Sequence, residues 1–475
     1  MSRELAHSYL TMANQTNLRI SKEIKGIQSG NDLCEIDQRW LGQILTASIA
    51  ISVAFRDENV RHVRAMILGP QKTPYEYGFF EFDVKFDNNY PSTPPKVTAR
   101  TTNNGRTRFN PNIYAGGKVC LSILGTWHGE LPGEDWSSAQ GLESVLWSIQ
   151  SLMDNNPYGN EPGFEGRGSV EDTKNNDFYC AKIRHETIRI AVIQKIESLM
   201  GVQADGSKSK AVEEEEKWAK SDSDSDTSDF DDPKQWEPFE DWQKRRFLWY
   251  YQSYLDTISS GTARVKEGEN FARMPFEGSH NEMTGTFQYT QLRARLVKCK
   301  ELIDRETADW AKQGIEARNK ESSKAYHIRS QFDMVKDSHD TSNMEISLED
   351  DNPFVWVLSY FGKQETTLEG GAFKIRISLS TRFPEEQPRV KVVTPISHHR
   401  VAPDGTLCYF PTKPEELKNH VQSIVASLEE KDSPYDPRTV VNPELSKLFF
   451  GSVEERKKYS RLQRRSAESS MDFDG

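Results

Sequence analysis

Residues 75–97 read YEYGFFEFDVKFDNNYPSTPPKV and carry the strongest fold signal in the chain. Within this stretch, FFEFDVKF (79–86) is typical of a β-strand, and the Asn-, Asp- and Pro-rich residues after it are typical of a turn. A second stretch, LEGGAFKIRISLSTRFPEEQPRV (368–390), aligns with the first without a gap. The alignment pairs Gly78 with Gly371, Phe80 with Phe373, Pro95 with Pro388, and Val97 with Val390. A repeat of this length, spaced by nearly 300 residues, predicts two copies of one fold.

The segments around the first copy predict an α+β fold. Strand-like sequence occupies 49–55, 61–69, 79–86 and 96–101, with short turns between the segments. Apolar residues at helical spacing predict one helix before these strands and another after them: Ile20, Ile24 and Ile27 in the first, and Leu142, Val145, Leu146, Ile149 and Leu152 in the second. We therefore expect a four-stranded antiparallel meander with flanking helices rather than alternating strands and helices.

Length and composition divide the 475-residue chain into several parts. A chain of this length exceeds one ordinary core, and the acidic tract that begins after residue 200 cannot bury enough apolar surface to fold. The predicted organisation is a first core domain at 17–200, an acidic disordered linker at 201–235, a helical extension at 236–335, a second core domain at 340–465 and a tail at 466–475.

The net charge of −11 argues against several classes of partner. Binding to nucleic acid or to an anionic membrane surface needs clustered Lys and Arg, so we expect neither partner. The longest apolar run, at 44–55, is shorter than the roughly 20 residues that a membrane helix needs. The start of the chain also lacks the apolar core of a signal peptide.

The five cysteines are widely spaced and include no C-x-x-C pair. Their odd number and their spacing predict neither a disulfide framework nor a zinc site, and no metal or cofactor is expected. A chain with free thiols is expected in the cytoplasm, the nucleus or both. Cys299 lies on an apolar helical stripe with Leu292, Leu296 and Ile303, which favours core packing for that thiol.

Each copy of the repeat is followed by a cysteine after a tight turn. The first turn, NPNIYAGGKVC (110–120), places Asn112 eight residues before Cys120. The second, HHRVAPDGTLC (398–408), has the same spacing but carries Arg400 in place of the asparagine. The interval between the end of the repeat and the cysteine is five residues shorter in the second copy than in the first.

These features together resemble ubiquitin-conjugating enzymes. The match rests on GPQKTPYEYGFFEFDVKF (69–86) with YPSTPPKV (90–97), on NPNIYAGGKVCLSILGTW (110–127) and on WSSAQGLESVLWSIQSLMDNNP (136–157). The stretches FNPN (109–112), CLSILGTW (120–127) and NPYGNEPGFE (156–165) are most similar to the Z type of the family. The family's usual tripeptide at the turn is His-Pro-Asn, whereas this chain has Asn110 at the first position.

The resemblance implies an acyl carrier. Cys120 would accept ubiquitin or a ubiquitin-like modifier as a thioester from an activating enzyme and pass it to a lysine, usually with a ubiquitin ligase. A thiolate serves as both nucleophile and carrier, and the developing negative charge needs a hydrogen-bond donor. Asn112 is the candidate donor, with bracing of the turn as its alternative role. The resemblance also places Asn160 and Glu161 near the active-site gate, with a solvated loop as the alternative.

Three further positions raise alternatives. His128, close to Cys120 in sequence, could suggest a Cys-His nucleophile, but the inserted loop around it favours a peripheral position. Ser138 stands where many members have a proline that touches ligases, which leaves the choice of ligase open. In the second copy, Cys408 suggests a second carrier, whereas the loss of the asparagine suggests a noncatalytic domain. The alternative to an enzyme is a ubiquitin-binding scaffold in which one or both domains are noncatalytic.

Overall fold

The computed structural model describes residues 15–28, 50–127, 134–165, 169–208, 236–278, 282–338 and 343–473. They form two compact units. Unit 1 contains the described residues of Met1–Glu240 and of Ile258–Leu296, and unit 2 contains those of Asp241–Thr257 and of Val297–Gly475. Most of the predicted acidic linker, from residue 209 to residue 235, lies outside the described residues.

Unit 1 contains the predicted four-stranded antiparallel meander. Its strands, in spatial as well as chain order, are β1 (Ile51–Arg56), β2 (Asn59–Leu68), β3 (Phe79–Lys85) and β4 (Lys96–Ala99). Its helices are α1 (15–28), α2 (Leu142–Ser151) and α3 (Val170–Glu186), which continues through a π-helical stretch (Thr187–Gln194) into α4 (Lys195–Leu199). Each observed strand overlaps the segment predicted for it, so the antiparallel sheet is confirmed.

Unit 2 repeats this sheet. Its strands are β5 (Met344–Leu348), β6 (Val355–Phe361), β7 (Ala372–Ser378) and β8 (Arg389–Val392), again in chain order and antiparallel. Helix α7 (Ser323–Lys336) precedes them, and α8 (Leu417–Leu428), α9 (Pro443–Phe449) and α10 (Val453–Ser470) follow. The two copies of one fold that the repeat predicts are both present.

Helix α10 extends into the stretch predicted as a tail from residue 466. Ala467 is buried in the core of unit 2, and the backbone N–H of Ala372 donates to Oγ of Ser470 at 2.9 Å. Because these contacts tie the last turn of the helix to β7, the ordered part of unit 2 continues to the end of α10.

Two long helices, α5 (Glu240–Arg264) and α6 (Tyr289–Asn319), occupy much of the stretch predicted as a helical extension. The residues of this stretch are divided between the two units rather than forming a unit of their own. Cys299 is buried on α6, at 1% exposure.

Matching glycines in the two copies permit equivalent close contacts. A Cβ atom on Gly78 would lie 2.7 Å from Cγ2 of Thr187, and one on Gly371 would lie 2.9 Å from Cα of Ala467. In both units the glycine therefore lets a C-terminal helix approach the start of the third strand, which gives the repeat's paired glycines a physical reason.

The glycine pair yields a stability prediction. We expect Gly78→Ala and Gly371→Ala each to destabilise its own unit by about 1–3 kcal/mol, because the added methyl group overpacks a closed contact. Gly26→Ala, on α1, is the control: its Cβ would meet no atom within 4 Å, so its effect should be neutral or slightly stabilising. Native-state hydrogen exchange of β3 and β7 peptides measures each unit separately. Unchanged exchange in both variants would contradict the close-contact explanation.

Candidate active site

A tight hairpin brings Asn112 beside Cys120. The backbone N–H of Cys120 donates to the carbonyl of Asn112 at 2.9 Å, and Ile113 and Val119 form a β-bridge. Gly117 closes the turn with a φ of 89°, and a side chain there would also meet the carbonyl oxygen of Ala99. The eight-residue spacing is thus the length of one hairpin, and the structure brings together the two residues predicted for the first site.

The Asn112 side chain hydrogen-bonds to the backbone of the cysteine. Its Nδ2 donates to the carbonyl oxygen of Cys120 at 3.0 Å, and the cysteine is only 3% exposed. In this arrangement the amide braces the turn, which is one of the two roles expected from the sequence. A side-chain amide has two N–H donors, so one bond to the backbone uses half of its donor capacity.

Asn110 anchors the turn to the rest of unit 1. Its side chain is fully buried, its Oδ1 accepts from the backbone N–H of Asn112 at 2.9 Å, and its Nδ2 donates to the hydroxyl of Tyr75 at 3.0 Å and to the carbonyl of Leu152 at 2.8 Å. The Tyr75 hydroxyl in turn donates to the carbonyl of Phe109 at 2.8 Å. All these polar groups are paired, as buried polar groups need to be.

The second unit explains why asparagine can replace the family's histidine here. In the hairpin of unit 2, Nδ1 of His398 accepts from the backbone N–H of Arg400 at 3.1 Å. Oδ1 of Asn110 makes the equivalent bond to the N–H of Asn112. Both side chains offer an acceptor that closes the same turn, so the substitution preserves its geometry.

Thr126, which the sequence did not single out, holds the chain on both sides of the cysteine. Its Oγ1 donates to the carbonyl of Val119 at 2.8 Å and accepts from the N–H of Leu121 at 3.0 Å. Cys120 is therefore fixed through both of its neighbours. The sequence carries no signal for this role, because a threonine near a turn can hydrogen-bond to several backbone groups.

Asn160 and Glu161, predicted near the gate, are tied to the same turn. Nδ2 of Asn160 donates to the carbonyl of Leu152 at 3.1 Å, the same carbonyl that accepts from Asn110. The guanidinium of Arg108 lies 3.1 Å from Oε2 of Glu161 and also donates to the carbonyl of Pro111. Burial raises the pKa of Glu161, and the neighbouring Arg108 opposes that rise.

The remaining positions singled out in the sequence are Ser138 and His128. Ser138 is exposed. His128 lies outside the described residues, so the structure does not bear on the Cys-His alternative. Among the cysteines that the structure describes, Cys120, Cys180, Cys299 and Cys408 are all free thiols. Within the same described ranges, no cluster of side chains suits a metal ion, and no helix is long and apolar enough to cross a membrane.

The hairpin of unit 2 has the same backbone but a different side-chain chemistry. The N–H of Cys408 donates to the carbonyl of Arg400 at 2.9 Å, and Gly405 closes the turn with a φ of 86°. The Arg400 guanidinium, however, forms an ion pair with Glu430, with Nη2 and Oε1 at 2.7 Å. In unit 2 the side chain at the asparagine position is therefore directed into a partly buried charge pair.

Cys408 is 0% exposed, and the charges of Arg400, Arg246 and Arg438 act on its thiol. The Phe410 ring lies 4.5 Å from the Arg438 guanidinium and 5.2 Å from that of Arg246 on α5. Arg246 also stacks on Trp249 of the same helix, at 4.1 Å. The sequence did not predict the effect of Arg246, because that residue lies more than 150 residues before the cysteine.

The Cys408 thiol itself contacts the backbone. Its Sγ lies 3.7 Å from the carbonyl oxygen of Arg438, which also accepts from the Tyr250 hydroxyl at 3.1 Å. Burial raises the pKa of Cys408 to about 11, even though Arg400 and Arg246 favour the thiolate. A thiol held in this way is protonated near neutral pH and makes a poor nucleophile.

Comparison with known proteins gives the family. Residues 43–186 and 327–454 both match the family model described as ubiquitin-conjugating enzyme, and together they make up more than half of the chain. The chain belongs to the ubiquitin-conjugating enzyme family. Since the two matched segments contain Cys120 and Cys408, both copies of the repeat have the family's fold.

Named relatives confirm the expected resemblance to the Z type. Ubiquitin-conjugating enzyme E2 Z of Xenopus tropicalis is 56% identical over 135 residues, which make up 28% of this chain and 41% of that protein. The Homo sapiens E2 Z is 55% identical over 135 residues, 28% of this chain and 36% of that protein. The human dual E2 ubiquitin-conjugating enzyme/E3 ubiquitin-protein ligase BIRC6 is 44% identical over 155 residues, 32% of this chain and 3% of that protein. The chain thus matches less than half the length of each of these relatives.

The anchoring role of Asn110 gives a second stability prediction. We expect Asn110→Ala to destabilise unit 1 by about 1–3 kcal/mol, because it leaves the N–H of Asn112 without its acceptor and removes both bonds that Nδ2 of Asn110 donates inside the unit. Asn110→His should retain most of that stability, because a histidine supplies the acceptor that His398 supplies in unit 2. Hydrogen exchange of the peptide covering 108–120 measures the effect. Equal losses in both variants would contradict the role of the acceptor.

The environment of Cys408 gives a reactivity prediction. At pH 8, a pKa of about 11 lowers the thiolate fraction about 200-fold relative to an ordinary cysteine. We expect iodoacetamide to modify Cys408 at least that much more slowly in the folded chain than in urea, and the rate in the folded chain to keep rising up to pH 10. Peptide mass spectrometry follows the reaction, with the unfolded chain as the reference. Modification of folded Cys408 at the unfolded rate would show that the thiol is not enclosed.

Proposed function

We propose that this protein is a ubiquitin-conjugating enzyme that carries ubiquitin or a ubiquitin-like modifier as a thioester on Cys120. The modifier comes from an activating enzyme and passes to a substrate lysine, usually with a ubiquitin ligase. The observation that carries this proposal is the hairpin in which Asn112 hydrogen-bonds to the backbone of Cys120. The names of the E2 Z and BIRC6 relatives support the same activity.

The reaction needs two acyl transfers at one sulfur. In the first, the Cys120 thiolate attacks the thioester carbonyl of the charged activating enzyme, and that enzyme's thiolate leaves. In the second, a neutral lysine amine attacks the new thioester, the Cys120 thiolate leaves, and an amide forms as the amine loses a proton to solvent. Because the cysteine is both nucleophile and leaving group, no metal or cofactor enters either step.

Asn112 serves the second transfer in this proposal. As the amine attacks, negative charge develops on the carbonyl oxygen, and a prepositioned donor can stabilise that charge by about 3–4 kcal/mol. One N–H of the Asn112 amide holds the carbonyl of Cys120, and the other can donate to the oxyanion. The amide is thus held beside the reacting sulfur by the same bond that braces the turn.

We propose further that unit 2 is a noncatalytic binding module. Its cysteine is enclosed, and the residue at the asparagine position is paired with Glu430. Removing Arg400 from that pair would leave the partly buried carboxylate of Glu430 with His399 as its remaining side-chain partner, so the pair holds Arg400 in place. These observations favour, for unit 2 alone, the alternative of a ubiquitin-binding scaffold, and they disfavour Cys408 as a second carrier.

The proposal is tested by charging the full chain with modifier. Incubation with ATP, activating enzyme and ubiquitin should give one thiol-sensitive adduct per chain. Cys120→Ala should abolish the adduct, and Cys120→Ser should convert it into an ester that resists thiols but is cleaved by hydroxylamine. Cys408→Ala should leave the stoichiometry unchanged, as measured by intact mass spectrometry.

Two results would overturn parts of this assignment. An adduct that survives in Cys120→Ala would place the carrier elsewhere in the chain. A second adduct that disappears in Cys408→Ala would show that unit 2 is catalytic. If no adduct forms with ubiquitin, the same assay with ubiquitin-like modifiers and their activating enzymes separates the wrong modifier from a binding scaffold, because only a scaffold stays uncharged with all of them.

A further inference from the structure

The segment 265–278, which we call the strap, follows α5 in the chain, lies in unit 1 and packs against α3. Its residues Met274 and Phe276 join the main hydrophobic core of unit 1, which also contains Tyr158 and Tyr179. The strap follows Tyr158 by about a hundred residues in the sequence and does not belong to the repeat. The strap is therefore an addition to the duplicated fold, and it packs against the rest of unit 1.

Phe276 contacts both ends of the loop that carries the predicted gate residues. Its ring centroid lies 5.4 Å from that of Tyr158 and 5.5 Å from that of Phe164, and the two loop rings lie 5.2 Å from each other. The ring of Tyr179 on α3 lies 5.6 Å away on another side. Four aromatic rings thus form one cluster, and Phe276 is the member that the strap contributes.

A buried ion pair fixes the strap next to this cluster. Nζ of Lys182 on α3 donates to Oε1 of Glu277 and, at 3.2 Å, to the carbonyl of Ala272. The lysine is 0% exposed. The other carboxylate oxygen of Glu277 accepts from the N–H of Met274 at 2.9 Å. A buried lysine without its carboxylate would be strongly unfavourable, so this pair holds the strap in one position.

The clamped loop is linked directly to the Cys120 turn. Between Tyr158 and Phe164 lie Asn160, which bonds to the carbonyl of Leu152, and Glu161, which pairs with Arg108. The same Leu152 carbonyl accepts from Asn110. Arg108 also donates to the carbonyl of Pro111, the residue that follows Asn110. A chain of contacts thus runs from the strap through the loop to the turn that holds the cysteine.

We infer that Phe276 and the Lys182–Glu277 pair are positioning elements for the second acyl transfer at Cys120. By clamping both ends of the loop, they hold Asn160 and Glu161 where a lysine approaches the thioester. This inference rests on the proposed function. It assigns the strap to the lysine-transfer step and not to charging, because in charging the thiolate of Cys120 itself is the attacking group.

Charging of Cys120 and discharge of its thioester to lysine should respond differently to loss of the Phe276 ring. Approach of a small amine depends on how precisely the surrounding groups are held, and a displacement of about 1 Å can cost up to about a hundredfold in rate. Phe276→Ala should therefore slow discharge of the Cys120 thioester to free lysine about tenfold, while the rate of charging stays within about twofold of wild type.

The strap offers a matched control. Phe271 is a second partly exposed aromatic of the strap, but its ring packs on Phe287 at 4.8 Å and on His185 at 5.4 Å rather than on the gate loop. Phe271→Ala removes the same number of atoms and should leave lysine discharge near the wild-type rate. Phe276→Tyr, which keeps the ring, should restore discharge.

The experiment uses the full chain, charged by activating enzyme and then chased with free lysine without ligase. Thermal unfolding of each variant checks that the fold is retained, and Glu277→Gln is a second test that leaves the aromatic ring in place. It should also slow discharge more than charging. Equal discharge rates in Phe276→Ala and Phe271→Ala, or a parallel loss of charging and discharge, would overturn the inference. Failure of the wild-type chain to charge at all would instead refute the proposed function.

Discussion

The hydrogen bonds of the buried Asn110 side chain are the constraint on which the candidate active site of unit 1 depends. One amide joins Tyr75 beside the sheet, Leu152 at the end of α2, and the backbone of Asn112 in the turn. Since a buried amide is costly to leave unpaired, these three elements must meet at one point. The position of Asn112 beside Cys120 follows from that meeting, and so does the position of the loop that shares the Leu152 carbonyl.

The two hairpins show that backbone and chemistry are separable in this fold. Gly117 and Gly405 close both turns in the same left-handed conformation, and in each the cysteine N–H bonds back to the carbonyl eight residues before it. The side chains differ: an amide faces the cysteine backbone in unit 1, whereas in unit 2 Arg400 turns to Glu430. Fold alone therefore does not indicate a carrier; the groups around the sulfur do.

The features that could be predicted from the sequence are those that are local in the chain or repeated in it. The four strands of unit 1, the duplication and the adjacency of Asn112 and Cys120 all follow from periodicity or spacing within short windows. Sequence reasoning missed Thr126 and Arg108, whose roles depend on which backbone groups lie nearby in three dimensions. It also missed the influence of Arg246 on Cys408, because that charge comes from a helix far away in the chain. Long-range contacts of this kind leave no periodic trace in a single sequence.

The Arg400–Glu430 pair limits what a single substitution at Arg400 could change in the second unit. Replacing the arginine with an asparagine would not by itself reproduce the arrangement of unit 1, because the partly buried Glu430 would stay in place, hydrogen-bonded to His399. Cys408 would also remain fully buried, at 0% exposure. At least two coordinated changes would be needed, and the first would reduce stability. If unit 2 is noncatalytic, as proposed, a single substitution at Arg400 would therefore not restore a carrier there.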